Sequence, residues 1–258
     1  MNILVSNDDG INACGIKELV KALSKVANVY VAAPDTQKSA SSHALSINGK
    51  ITVREIPMEG AVRAFQVGGT PADCVKLGLY ILQQEGINID AVYSGVNHGG
   101  NLGTDTIYSG TVSAAAEGLF KGLPAVAVSV NSHTPTYFEG ACRLAVQVLP
   151  KALTSKGKLG VISINTPDIP KEEIRGVKIA SLGQVLYHEW FQVEEKNKED
   201  EDGQITYTYS GVAREMDCWE DKADARLIRE NYATISVVKY ELLDEEGNKE
   251  IQSWEIEI

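Results

Sequence analysis

The chain has 258 residues, 43% hydrophobic, 23% charged and only 7% aromatic, with a formal net charge of −11. That profile fits one large soluble globular domain, or a domain with an appendage. A chain this acidic does not bind nucleic acid polymers or anionic membranes through bulk charge, so a small anionic substrate needs a local answer such as a metal ion or a helix N-terminus.

Residues 2–6 (NILVS) read as a buried strand. Ile16, Leu19, Val20 and Leu23 then fall at helical spacing. NVYVAAPD (28–35) is a second β-rich run, ended by Pro34, and the small polar stretch 36–48 reads as a loop. ITVREI and RAFQV alternate like a strand pair. Thr70 and Pro71 suit the N-cap and first position of a helix whose apolar stripe is Cys74, Leu77 and Ile81. DAVYSGVN is the next strand and ends in a glycine-rich loop, 95–104. SGTVSAAAEGLFKG reads as a helix packed closely through small residues, and PAVAVSV as a strand. Residues 137–153 are expected to be helical, with Leu144, Val148 and Leu149 inward, and LGVISIN is a further strand. Strands alternating with helices over 1–165 predict βαβ units and a mainly parallel sheet.

The pattern then changes. GVKIASL reads as a strand, and 194–203 as a charged, solvated loop. QITYTYS, YATISVV and SWEIEI all alternate, which predicts antiparallel hairpins. The expected layout is a single domain, 1–258, with a Rossmann-like core over 1–183 and a β-rich oligomerisation element over 184–258. Cys14, Cys74, Cys142 and Cys218 are far apart with no CxxC pair, so they read as buried free thiols in a reducing cytoplasm. No apolar run reaches the length of a membrane span, and the first residues read as a core strand, so a cytoplasmic protein is expected.

In open α/β sheets, ligands bind outside the carboxyl ends of the strands. The first strand delivers Asn7, Asp8 and Asp9 there. The second delivers Asp35 and then Ser39, Ser41 and Ser42. The strand at 91–94 leads to Asn97, Gly99, Gly100, Asn101 and Gly103. These carboxylates, hydroxyls and amides are hard oxygen donors, which suit Mg²⁺ or Mn²⁺ rather than zinc. Asp8 and Asp9 taken alone could equally form a turn or a helix cap. A cap needs one carboxylate, however, and the pair stands where ligand sites lie. Ser109, Gly110 and Thr111 precede a helix and offer a phosphate site, or simple capping. The signatures of P-loop, GxGxxG, EF-hand and GxSxG proteins are absent, and the adjacent acids do not match the Asp-x-Asp of haloacid-dehalogenase-type phosphatases. His43, His98, His133 and His188 are scattered, which argues against a zinc site.

ILVSNDDGINACGI, AAPDTQKSASSHALS, VGGTPADCVKLGL, SGVNHGGNLGTDTIYSGTVSAAAEG and SINTPD occur in this order. Together they resemble the SurE family of survival protein nucleotidases, over about residues 1–168. The resemblance implies a Rossmann-like three-layer α/β/α core and a divalent-metal-dependent phosphatase acting on nucleoside 5′-, and also 3′-, monophosphates. It also implies homodimers or homotetramers. Carried over residue by residue, it puts one Mg²⁺ or Mn²⁺ per subunit on Asp8, Asp9, Ser39 and Asn97, with Asp8, Asp9 and Asn97 catalytic. The substrate phosphate falls near Ser109, Gly110 and Thr111. The chain departs from the family at Ala40, where glycine is usual, at Thr36, where arginine is common, and in NYATISVVKY (231–240), which lacks a proline. The alternative function is a nucleotide-binding regulatory module without turnover.

Overall fold

The computed structural model describes residues 1–155, 157–185, 187–193, 205–213, 221–240 and 243–254. In chain order the elements begin with β1 (Asn2–Ser6), α1 (Cys14–Leu23), β2 (Asn28–Pro34), β3 (Thr52–Ile56), β4 (Arg63–Gly68) and α2 (Pro71–Gln84). Next come β5 (Ala91–His98), α3 (Asp105–Tyr108), α4 (Gly110–Phe120), β6 (Ala125–Asn131), α5 (Glu139–Ser155) and β7 (Val161–Pro167). The chain continues with β8 (Val177–Ile179), β9 (Tyr187–Val193), β10 (Tyr207–Ala213), α6 (Asp224–Arg229), β11 (Ala233–Val238) and α7 (Glu245–Gln252).

Nine strands form one sheet in the order β3-β4-β2-β1-β5-β6-β7-β11-β8. The pairings from β4 through β2, β1, β5 and β6 to β7 are all parallel. β3 joins antiparallel at one edge, and β11 runs antiparallel to β7 near the other. β9 and β10 make a separate antiparallel hairpin. This is the mainly parallel three-layer architecture expected, with a β-rich C-terminal part.

Alternation along each strand sorts the core into two layers. Ile3 and Val5 of β1 pack with Ile16, Leu19, Val20 and Leu23 of α1 and with Ala141, Ala145 and Leu149 of α5. Leu4 points the other way and packs with Cys74, Val75 and Leu82 of α2 and Ala114 of α4. α1 and α5 therefore cover one face, and α2 and α4 the other. The stripe of α2 is centred on Cys74, Val75, Gly78 and Leu82, while Leu77 and Ile81 sit at its half-buried margin. Thr70 caps α2 through a reciprocal pair: its Oγ1 accepts from Asp73 N–H at 3.1 Å, and its own N–H donates to Asp73 Oδ2 at 2.9 Å. α4 is buried on all sides from Gly110 to Gly118, as its run of small residues requires.

Several expectations change. Cys14 is exposed at the start of α1 rather than buried, whereas Cys74 and Cys142 are buried as expected. Leu144 and Val148 are half-buried, and the inward positions of α5 are taken mainly by alanines, Cys142 and Leu149. The C-terminal part holds two helices, α6 and α7, that alternation alone did not indicate. Ser253 and Trp254, the start of the SWEIEI run, lie in a turn after α7, and the rest of that run lies outside the described residues. So do Cys218 and the charged stretch 194–203. Among the described residues no helix is long and apolar enough to cross a membrane.

β1 has β2 on one side and β5 on the other, so the order of strands reverses there. That reversal opens a crevice at the carboxyl ends of β1 and β5. The residues that follow β1, β2 and β5 meet in it.

Candidate active site

Asp8 lies two residues beyond β1 and is only 4% exposed. Its Oδ1 accepts a short hydrogen bond from the Thr111 hydroxyl in the first turn of α4. Its backbone carbonyl accepts from Lys38 N–H at 2.7 Å, which fastens the serine loop to the end of β1. Burial pushes the Asp8 carboxyl up to about 6; the Thr111 hydroxyl opposes this and the neighbouring Asp9 charge reinforces it. Asp9 is half-buried. Its Oδ2 accepts from His98 N–H at 2.9 Å and its Oδ1 from the Gln37 amide at 3.3 Å. Burial raises its pKa as well, against the stabilising pull of His98 and Gln37. Two neighbouring carboxylates, one buried and one half-buried, each held above the ordinary range, make a site short of positive charge.

Ser39 is linked to this pair through Gln37, and Asn97 precedes His98, whose N–H binds Asp9. The Gln37 amide nitrogen that reaches Asp9 also donates to Ser39 Oγ at 2.9 Å, so one donor bridges the two residues. Asn97 donates its amide N–H to the Gly99 carbonyl at 2.8 Å, which turns its amide oxygen the other way. Asp9 is tied to the end of β5 through His98, so the ends of β1, β2 and β5 are joined around one point. Among the described residues no group of three or more His, Cys, Asp or Glu residues is placed to hold a metal. Any cation here has to use the two carboxylates together with hydroxyl and amide oxygens. Such a donor set fits a hard divalent ion and not zinc.

α4 supplies the opposite wall. Ser109 caps it, with Oγ accepting from Val112 N–H at 3.0 Å. Thr111 gives its hydroxyl to Asp8. Both side chains expected near a phosphate are thus engaged within the protein, and so is the Val112 N–H, which leaves the Gly110 N–H as the part of the first turn that can face an anion. A Cβ at Gly110 would lie 2.8 Å from Ser41 Oγ and 2.9 Å from Asp8 Oδ2. The missing side chain lets the start of α4 pack directly against these oxygens. Ser41 Oγ is buried and has no hydrogen-bond partner in the protein. A buried orphan hydroxyl beside a helix N-terminus fits a bound oxyanion.

The serine loop itself is held at four points. Ser42 Oγ donates to the Ile107 carbonyl at 2.9 Å, and Ser42 N–H donates to Tyr108 at 3.0 Å. Thr70 Oγ1 donates to the Ala44 carbonyl at 2.7 Å, and Ser46 N–H donates to Asp73 at 3.1 Å. Behind the loop, His43 Nε2 meets buried Glu117 of α4 at 2.8 Å, and Lys76 of α2 meets the same carboxylate at 3.1 Å. Burial pushes Glu117 up, but these two hydrogen bonds outweigh it and hold the carboxyl below its ordinary value. Reading motifs alone missed this brace, although a lone acid inside the small-residue run AAAEG was a signal for it. Ala40 has φ +54°, the left-handed region, which accounts for the glycine usual there in the family. Thr36 donates to Asp35 at 3.2 Å on the surface. His98 contributes its backbone N–H, while its ring packs against Phe138 at 5.7 Å.

Fold and site together define a three-layer α/β/α protein with adjacent carboxylates at its topological switch point, packed against the first turn of a buried helix. The profile of the family described as "Survival protein SurE" matches residues 3–189. A relative from Clostridium beijerinckii named 5′-nucleotidase SurE is 38% identical over 249 residues, covering 95% of each chain. One of the same name from Petrotoga mobilis is 35% identical and covers 98% of this chain and 99% of its own. The crystal structure of the SurE protein from Aquifex aeolicus superposes with a TM-score of 0.81 at 31% identity, over 99% of this chain and all of that one. The chain belongs to the SurE family.

Proposed function

We propose that the chain is a divalent-metal-dependent phosphomonoesterase that releases phosphate from nucleoside 5′-monophosphates, and from 3′-monophosphates as well. The relatives' name, 5′-nucleotidase, supports the substrate class. The observation that carries the chemistry is the pair of adjacent carboxylates beyond β1, buried Asp8 and half-buried Asp9, both raised in pKa, with Asp8 packed against Gly110 and the orphan Ser41 hydroxyl.

Asp8, Asp9, Ser39 and Asn97 would hold one Mg²⁺ or Mn²⁺. A bound ion there supplies Lewis acidity toward a phosphate oxygen and lowers the pKa of a water. The residues do the rest. Asp8 and Asp9 provide the negative charge that selects a cation. His98 N–H and the Thr111 hydroxyl fix the orientation of the two carboxylates. The orphan Ser41 Oγ and the Gly110 N–H would meet phosphate oxygens, which lets an acidic protein bind an anion without a basic patch. Assembly belongs to the same reading. One face of the hairpin β9–β10 exposes Phe191, Val193, Tyr207 and Tyr209, an apolar surface suited to a second copy in a homodimer or homotetramer.

The test is hydrolysis of a nucleoside monophosphate and of p-nitrophenyl phosphate with Mn²⁺, with Mg²⁺ and with EDTA. Metal-dependent release supports the reading. Nucleotide binding without release would make the chain a regulatory module instead.

A further inference from the structure

The glycine-rich loop after β5 connects two parts of the site. It begins just beyond Asn97 and ends at α3, which leads into Ser109 and Gly110. Where this loop sits therefore sets both the Asn97 amide and the first turn of α4. Its first half is anchored within the core: Asn101 N–H donates to Asn165 Oδ1 at 2.9 Å and its amide to Ser129 Oγ at 2.8 Å. Its second half is held from the C-terminal part of the chain.

Asp224 opens α6 and is 1% exposed. Its Oδ2 accepts from Gly103 N–H at 2.9 Å. Its Oδ1 accepts from Gly183 N–H at 3.0 Å and from Ala225 N–H at 2.8 Å. One oxygen thus serves the site loop and the other serves the C-terminal segment. A buried carboxylate with three backbone donors is well satisfied, and removing one contact leaves a polar group stranded. Two further contacts point the same way. Thr104 Oγ1 donates to the Val185 carbonyl at 2.6 Å and accepts from Val185 N–H at 3.1 Å. Gly103 has φ +50°, and a Cβ there would lie 2.4 Å from the Gly183 carbonyl oxygen, so the two backbones touch with no space for a side chain.

We propose that Asp224 is a positioning residue, which holds the loop 99–104 by the Gly103 amide and so fixes Asn97 and the start of α4 for ligand binding. The role in binding rests on the functional reading above; the hold on the loop does not.

Asp224→Asn separates the two oxygens. With its amide oxygen on Gly183 and Ala225 it keeps two bonds, and its NH₂ then faces the Gly103 N–H, donor against donor. The C-terminal segment stays docked and the grip on the loop is lost. Three measurements on the full chain decide the matter: thermal melting, hydrogen exchange over 99–106, and calorimetric titration with Mn²⁺. The expected result is exchange at least tenfold faster over 99–106, with α1 unchanged, and Mn²⁺ affinity weaker by about tenfold to a hundredfold, as for other residues that orient ligands. Thr104→Val, which removes the neighbouring tie, should show the same pattern more weakly, and it carries the test if the Asn variant does not fold. Wild-type exchange over 99–106 in the variant that folds would overturn the proposal, as would a loosened loop with unchanged Mn²⁺ affinity. Absence of Mn²⁺ binding by the wild-type chain would instead remove the functional reading, with the exchange rates still deciding whether Asp224 holds the loop.

Discussion

The Thr111 hydroxyl donates to the Asp8 carboxylate, joining the first turn of α4 to the end of β1 across 103 residues of sequence. This contact spans the crevice, and it opposes the rise that burial imposes on Asp8. Thr111→Val should leave a buried acceptor without its donor, at a cost of about 1–3 kcal/mol in a urea melt. Mn²⁺ affinity should fall about tenfold, since an orienting partner of a ligand is lost. Thr111→Ser keeps the hydroxyl and should restore most of both.

Gly110 sets stability against function. Alanine is the better helix former by about 1 kcal/mol, so Gly110→Ala should not weaken α4 by propensity. Its Cβ would nevertheless lie under 3 Å from Asp8 Oδ2 and Ser41 Oγ and push both aside. Phosphate release should drop more than tenfold while circular dichroism shows an intact fold.

Ala40 holds a conformation that costs an L-residue roughly 1–2 kcal/mol. Glycine removes that cost but gives back about 0.4–1 kcal/mol through a more flexible unfolded chain. Ala40→Gly should therefore stabilise the protein by about 0.5 kcal/mol, measured by thermal melting.

Much of this was legible in the sequence, and for identifiable reasons. β1 alternates between two buried layers, and Thr70-Pro71 carries its own capping chemistry, so both are local facts. Asp8, Asp9 and Ser39 come after strands and Asn97 stands at the end of one, and strand ends converge in this kind of sheet; grouping the four took the family resemblance. Ser109 and Thr111 were visible as residues but not in their roles. Which hydroxyl caps and which reaches Asp8 depends on how α4 is seated against β1. The helix α6 is only six residues long, too short to show a period. Asp224 was illegible for a further reason: its partner Gly103 lies 121 residues away, and a single acid in DARLIR has nothing local to mark it. The role of Glu117 likewise needs the serine loop folded back onto α4.

Glu117 predicts a pH dependence. Its folded pKa lies below the ordinary 4.5, because His43 and Lys76 favour the charged form over the penalty of burial. A carboxyl lowered on folding stabilises the protein above its unfolded pKa, and that contribution disappears as pH falls through the folded value. Glu117→Gln should cost about 1.5–3 kcal/mol at pH 7, the range for hydrogen bonds to a charged group. The gap between wild type and variant should close as urea melts are repeated at pH values below about 4.5.

The most direct measurement is phosphate release from a nucleoside 5′-monophosphate by the metal-stripped wild-type chain and by its Asp8→Asn/Asp9→Asn variant, before and after millimolar Mn²⁺ is added. The paired carboxylates predict no turnover by the stripped wild type, recovery with Mn²⁺, and none in the folded variant under either condition. Equal turnover by the double variant, or full activity of the stripped enzyme, would contradict it.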